Sequence, residues 1–225
     1  MELRIPKTID QEVSTGWCPG CGHGIIVRLL AEVIDELGMN EQVVFVEDVA
    51  CGHYDMPLLS FNTMGAPHGR PIIAAAGVKR VRPDAIVIAH PGDGSAYSIG
   101  IESTIHCALR NENILALVIN NSVFGMTGGQ MSPESLPGQK TTSSPHGRDV
   151  AKNGYPFDAM KTLCQYDIAY LARGSVSSVP NIMKTKNMLK KALIKQRNGE
   201  GFCLVEVLSA CPTNWYKTPE GALQY

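Results

Sequence analysis

Two short, wholly apolar runs set the terms on which this chain can fold. Ala-Ile-Val-Ile-Ala at 85–89 and Ile-Leu-Ala-Leu-Val-Ile at 114–119 contain no alternating polar residue. Strands of that kind are covered on both faces, as in a parallel sheet between two layers of helices. Parallel neighbours need a long crossover, and a helical pattern from about 97 to 110 lies between the two runs. The alternation continues along the chain. Residues 25–37 have helical spacing through Ile26, Leu29, Leu30, Val33, Ile34 and Leu37, and stop at Gly38. Residues 43–46 read as a buried strand, and 72–81 as a helix of small residues ended by Pro83. Residues 167–172 form a further strand, 180–197 an amphipathic basic helix opened by Pro180, and 202–208 a last strand. The expected class is α/β, a mainly parallel sheet with helices on both faces. Two stretches escape the pattern. Residues 126–156 are rich in Gly, Ser, Thr and Pro, and a loop that long reads as a cover over a site. Residues 209–225 show no regular element.

Length fits one domain over 1–225, and 44% apolar with 18% charged residues is ordinary for a packed protein. A net charge of −1 argues against nucleic acid or an anionic membrane as partner. No apolar run approaches the roughly 20 residues of a bilayer span, and 1–6 lacks a signal-peptide core. The expected location is the cytoplasm.

Each apolar run ends in a polar turn. His90-Pro91-Gly92-Asp93-Gly94-Ser95 follows the first, and Asn120-Asn121-Ser122-Val123-Phe124-Gly125 the second. Either turn alone is explained by the local preferences of Gly, Asp and Asn. Together, at the carboxyl ends of two parallel strands, they sit where open α/β sheets bind ligands. Magnesium takes oxygen ligands, commonly one or two carboxylates plus phosphate oxygens. Asp93 offers a carboxylate, Asn121 a carboxamide oxygen and Val123 a main-chain carbonyl. Gly92 and Gly94 allow close backbone approach, and a helix starting near Ser95 directs free N–H groups at a diphosphate.

The seven cysteines are an odd count, which argues against a full set of internal disulfides. Trp17-Cys18-Pro19-Gly20-Cys21 places two thiols on a tight turn, Cys51 follows the first strand, and Cys211 follows the last. Four thiolates from these loops suit zinc or an iron–sulfur cluster, and spacing does not choose between them. A redox pair at Cys18 and Cys21, or plain buried thiols, are the alternatives. Cys107, Cys164 and Cys203 lie in apolar patterns and read as small core residues. His23, His53, His68 and His90 lie in loop-like contexts that favour a site over a core.

On these residues the chain resembles the beta subunit of the 2-oxoacid:ferredoxin oxidoreductases. The matching pieces are Trp-Cys-Pro-Gly-Cys-Gly at 17–22, His-Gly-Arg at 68–70, Gly-Val-Lys at 77–79, Arg-Pro-Asp at 82–84, Gly-Asp-Gly at 92–94, Asn-Asn at 120–121, Gly-Met-Thr-Gly-Gly-Gln at 125–130 with Ser132-Pro133, and Cys-Pro-Thr-Asn-Trp at 211–215. The resemblance implies the diphosphate-binding type of thiamine-diphosphate fold. It also implies oxidative decarboxylation of a 2-oxoacid to acyl-coenzyme A and carbon dioxide, with reduction of ferredoxin. By the same resemblance Asp93, Asn121 and the Val123 carbonyl would hold magnesium. Gly94, Ser95, Gly125, Met126 and Thr127 would surround the diphosphate, and Cys51, Gly52 and His68 would line the thiamine end. His68 would also hydrogen-bond a substrate oxygen, unless it is a loop histidine that only holds structure. Cys18, Cys21, Cys51 and Cys211, from the N- and C-terminal segments of the domain, would hold one 4Fe–4S cluster. The implied partners are an alpha subunit that supplies the thiamine-activating carboxylate, gamma and ferredoxin-like subunits, ferredoxin, a 2-oxoacid and coenzyme A.

The chain departs from many relatives in reading Ala50-Cys51-Gly52 for Gly-Cys-Ser, and Pro91-Gly92-Asp93-Gly94-Ser95 for Gly-Gly-Asp-Gly-Asp. Two other readings compete: a metal- or nucleotide-binding α/β module without catalysis, and a non-redox thiamine-diphosphate decarboxylase. The decarboxylase accounts for the two polar turns but leaves the four cysteines without a role.

Overall fold

A computed structural model describes residues 5–225 of the chain. The first four residues, part of the expected 1–225 domain and of the stretch without a signal-peptide core, lie outside the described residues. The strands in chain order are β1 (Val43–Asp48), β2 (Asn62–Ala66), β3 (Ile86–His90), β4 (Leu115–Asn120), β5 (Val123–Phe124), β6 (Gln130–Met131), β7 (Tyr170–Ser175) and β8 (Cys203–Leu208). The helices are α1 (His23–Leu37), α2 (Pro71–Val81), α3 (Ile101–Leu109), α4 (Val150–Asn153), α5 (Ala159–Leu163), α6 (Val179–Arg197), α7 (Pro212–Trp215) and α8 (Pro219–Leu223).

One six-stranded sheet, in the order β2-β1-β3-β4-β8-β7, is parallel throughout. The α/β class read from the two apolar runs therefore holds. β3 and β4 are buried at every position because each face is covered. On one face α1 and α6 pack Ile26, Leu30, Ile34 and Leu193 against Phe45, Ile88, Leu117 and Val205. On the other, Ile72 and Ala75 of α2 and Cys107 of α3 meet Val46, Val87, Ala89 and Val118. Each large side chain so buried contributes about 1.5–3 kcal/mol before conformational entropy is charged against it. α1 ends at Gly38 in the left-handed conformation, φ 64°, as its sequence requires.

β1 has β2 on one side and β3 on the other. The chain leaves β1 in one direction and returns to build β3 in the other, which opens a crevice at the carboxyl ends of these strands.

Four expectations need correction. β2 is a real strand, although Asn62-Thr63-Met64-Gly65-Ala66 has poor strand composition; it is a mostly exposed edge held by its register with β1. The last-but-one strand runs over Tyr170–Ser175, three residues later than 167–172, because pairing with β8 sets Tyr170 opposite Cys203 and Ser175 opposite Leu208. The tail is not irregular: α7 and α8 each begin at a proline in the first turn. Cys164 is exposed at the end of α5, where its thiol reaches the Lys161 carbonyl, while Cys107 and Cys203 are core residues as expected. Among the described residues no helix is long and apolar enough to cross a membrane.

Candidate functional site

The crevice forms a cavity of about 260 Å³. Its walls come from the segments after β1, β3 and β4. Asp93, Asn121 and Val123 all line it, and so do Gly94, Ser95, Gly125, Met126 and Thr127. Cys51, Gly52 and His68 complete the wall on the β1 side. Every residue expected around a diphosphate or a thiamine thus faces one space.

Asp93 is 1% exposed, and its carboxylate accepts a short hydrogen bond from the Ser132 hydroxyl. Burial pushes its pKa up to about 7, against the opposing effect of Ser132 and of the main chain near Asn121. A buried carboxylate with so little compensation suits a cation ligand. The two asparagines divide the work. Asn120 faces away, donating to Glu206 at 3.2 Å and accepting from the Ser122 N–H at 3.1 Å. Asn121 lines the cavity, its carboxamide oxygen accepting from the Val123 N–H at 3.3 Å, which leaves that oxygen a second lone pair. Adjacent residues at a strand end point to opposite faces, and Ser122, which follows both, is left-handed, φ 59°, and turns the chain sharply toward β5.

After β3 the chain enters a π-turn at Ser95–Ile99 before α3. Gly94 is required here: a Cβ would lie 2.2 Å from the Phe124 ring. The Ser95 hydroxyl lines the cavity but accepts from the Gly69 N–H at 3.1 Å. That N–H also reaches Asp48, which in turn touches Nδ1 of His68 at 3.2 Å. His68 is therefore aimed at the cavity by a buried carboxylate.

Burial pushes the Cys51 thiol up to about 12, with further upward pressure from Cys21, Cys211 and Cys18. Cys21 is pushed to about 11, again by burial first and then by Cys211 and Cys18, and Cys211 is also raised. The four sulfurs thus share one electrostatic neighbourhood. All seven cysteines are unpaired. A redox pair at Cys18 and Cys21 would want a lowered thiol pKa, whereas burial raises that of Cys21. A single zinc bound by four thiolates holds its sulfurs about 3.8 Å apart, from a bond of roughly 2.3 Å in tetrahedral geometry. Among the described residues no three of the cysteine sulfurs lie within 4.8 Å of one another.

Several functional contacts had no distinct signal in the sequence. Trp17 donates from its indole to the Cys51 carbonyl at 2.8 Å, and Trp215 to the Asn121 carbonyl at 3.0 Å. Asn214 donates to the Gly125 carbonyl at 3.0 Å and lies 3.4 Å from the Cys211 sulfur. The outer cysteine motifs are thereby tied to the turns that form the cavity. The aperiodic stretch is less a cover than a brace. Only Met126 and Thr127 of it line the cavity, while Ser132 reaches Asp93, and Ser135 and Gln139 hold the Ser122 carbonyl. Arg148 organises it from within, donating to the carbonyls of Ser132, Pro133, Ser135, Asn153, Gly154 and Tyr155. His23 and His90 are buried in the cavity wall, whereas His53 is exposed outside it.

Residues 51–207 match the family described as thiamine pyrophosphate enzyme, C-terminal TPP binding domain. The ketoisovalerate oxidoreductase subunit VorA of Methanothermobacter thermautotrophicus is 38% identical over 213 residues, which are 94% of this chain and 45% of that protein. The chain thus spans about half the length of that relative. The 2-oxoglutarate synthase subunit KorB of Archaeoglobus fulgidus is 33% identical over 94% of this chain and 75% of its own length. Among solved structures, a 2-oxoglutarate:ferredoxin oxidoreductase from Magnetococcus marinus, with 2-oxoglutarate, coenzyme A and succinyl-CoA bound, superposes with a TM-score of 0.81. That match has 29% identity and covers 95% of this chain and 70% of the other.

Proposed function

Since the chain belongs to the thiamine-pyrophosphate-binding subunits of the 2-oxoacid oxidoreductases, we propose that it binds thiamine diphosphate, magnesium and one 4Fe–4S cluster within a 2-oxoacid:ferredoxin oxidoreductase. The reaction is oxidative decarboxylation of a 2-oxoacid to its acyl-coenzyme A thioester and carbon dioxide, with electrons passed to ferredoxin. The observation that carries this reading is the shared cavity. Asp93, Asn121 and Val123 meet the Gly125–Thr127 turn there, with Cys51 on the wall and Cys21, Cys211 and Cys18 in electrostatic reach.

Thiamine diphosphate, when bound, supplies an electron sink for decarboxylation. This chain's residues hold and orient. Asp93 and Asn121, with the Val123 carbonyl, are the oxygen set for magnesium, whose part is to fix the diphosphate. Gly94 and Ser95 would offer main-chain N–H groups of the π-turn to the phosphates, with Gly125, Met126 and Thr127 lining the same space. Cys51 and Gly52 line the thiamine end. His68, in contact with Asp48, would offer a ring nitrogen to a substrate oxygen. Cys18, Cys21, Cys51 and Cys211 would hold the cluster. We read the described chain as one thiamine-diphosphate-binding domain working with an alpha subunit, and with gamma and ferredoxin-like subunits where these exist. Seven unpaired thiols suit the cytoplasm.

The test is metal and sulfide content after anaerobic purification. The reading expects broad visible absorption, with about four irons and four acid-labile sulfides per chain, lost together on substituting Cys51 or Cys211 by serine. A colourless chain with one zinc and no sulfide would sink the cluster assignment and favour a metal-binding module without redox chemistry.

A further inference from the structure

A second cluster of potential ligands lies behind the cavity wall, and the proposed function gives it no role. β1 and β3 pair in register so that Glu47 stands directly beside His90, on the sheet face covered by α1. The 3₁₀ segment Cys51–Leu58 folds back over the strand ends and delivers Asp55 to the same point. Glu47 and Asp55 are 0% exposed and His90 is 1% exposed. Nε2 of His90 is 3.4 Å from the Asp55 carboxylate, and one ligand atom from each residue lies within 4.8 Å of the other two.

This group is electrically unfinished. None of the Glu47 and Asp55 carboxylate oxygens or the His90 ring nitrogens has a well-formed hydrogen bond; Glu47 meets Asp55, and His90 meets the Leu117 main chain. Among the described residues no Lys or Arg forms an ion pair with Glu47 or Asp55. The neighbours do not help. His23 meets the His90 ring edge-on at 6.3 Å and is itself buried and held neutral. Phe45 stacks on the other side at 5.2 Å, and Asp48 adds negative charge from the next position. Two ionised carboxylates here cost several kcal/mol each unless something balances them. Two protons would do so, and so would one divalent cation. An imidazole and two carboxylates form a mixed nitrogen–oxygen set of the kind that borderline first-row ions take. His90 is kept neutral by burial, as a ligand must be.

The geometry points to Glu47, Asp55 and His90 as a binding site for one divalent first-row transition ion, separate from the magnesium and cluster sites. Its place gives it a task. A Cβ at Gly52 would lie 2.9 Å from the His90 ring and 3.4 Å from the Glu47 carboxylate, so the ion sits directly behind the Cys51–Gly52 wall. It pins the Cys51–Leu58 segment to β1 and β3, and so holds in place the turn that carries Cys51. The assignment does not depend on the iron–sulfur reading: if sulfide proves absent, the ion is still expected.

The experiment is an elemental count on the full chain, purified anaerobically with any copurifying partner and passed over a chelating resin. Zinc, manganese and iron in excess of acid-labile sulfide should total one equivalent per chain. Glu47→Gln and Asp55→Asn should remove that equivalent and leave sulfide and its matching iron unchanged; His53→Ala, an exposed control, should keep it. Cobalt(II) added to metal-depleted wild type should develop ligand-field bands and bind about 100-fold or more tighter than to Asp55→Asn. The wild-type cobalt spectrum stands even if a variant fails to fold. Absence of cobalt binding by wild type, retention of the extra ion in both variants, or an infrared carbonyl band of a protonated carboxyl group that Glu47→Gln removes from metal-free protein would each overturn the proposal.

Discussion

Single side chains decide whether the cavity holds a cofactor. Gly94→Ala places a methyl group where the Phe124 ring stands. Phe124, half-buried on the β5–β6 pair, must then give way, so overpacking of about 1–3 kcal/mol is expected. Calorimetry should show that loss in stability, and the purified complex should retain little thiamine diphosphate. An undisturbed melting temperature with full cofactor content would count against the close approach. Ser132 is a positioning residue, acting through its hydrogen bond to Asp93. Ser132→Ala is expected to raise the magnesium concentration needed for cofactor retention by about 10–100-fold, with little change in melting temperature. An unchanged magnesium requirement would mean that Asp93 is not the ligand. Asp93 and Asn121 were legible because a strand end, a glycine and a carboxylate are local facts of sequence. Glu47 and Asp55 were not, and His90 read only as a site-like position without partners. Their meaning comes from burial at one point by β1, β3 and a 3₁₀ segment, and no window of sequence contains that.

At the scale of elements, the basic face of α6 is less solvated than its sequence implies. Lys186 reaches Glu32 at 2.7 Å and Glu36 at 2.8 Å on α1, and Lys190 reaches Glu36 at 2.9 Å, while Lys184 and Lys191 stay exposed. Burial would raise Glu32, but Lys186 and Arg28 outweigh it and hold the carboxyl below its usual value; Lys186 and Lys190 lower Glu36 more directly. A carboxyl lowered by folding stabilises the native state above its ordinary range, and the gain disappears as pH falls through the lowered value. With these groups partly exposed, Lys186→Met should cost under about 1 kcal/mol at neutral pH. Urea unfolding should show the difference between wild type and variant shrinking in acid; an equal difference at both pH values would assign the effect to packing of the lysine stem. The aperiodic stretch offers a larger effect. Arg148 is 7% exposed and serves carbonyls from Ser132 to Tyr155, so Arg148→Met leaves buried acceptors unpaired at a cost of about 2–4 kcal/mol. Hydrogen exchange confined to 132–155 should report it. Sequence showed only that this stretch lacked a period, because one arginine replaces the ladder of hydrogen bonds that periodicity would signal. β2 escaped for the opposite reason, since its pairing with β1 overrides a composition that argues for a turn.

For the whole molecule the question is what the cavity lacks. Among its lining residues Asp93 is the sole carboxylate, and the proposed function commits it to magnesium. Activating bound thiamine needs another carboxylate beside the aminopyrimidine, and none lines this space. Two apolar lining residues are also open to solvent, Val49 at 51% and Met126 at 41% exposed. Apolar side chains gathered at an open site are a natural place for a second protein surface. Binding and activation should therefore separate. The purified chain alone is expected to bind thiamine diphosphate with magnesium, detected by calorimetric titration, yet to show no turnover with a 2-oxoacid, coenzyme A and a viologen dye. Adding the alpha subunit should restore turnover without large change in the chain's iron or sulfide content. The control is Asn121→Ala, which should remove cofactor binding by the chain alone and so abolish turnover even in the complex. Full turnover by the isolated chain would mean that an activating carboxylate lies within it after all. Asp48 would then be the first candidate, since it is buried, held above the usual carboxylate pKa by that burial, and already in contact with His68 on the cavity wall.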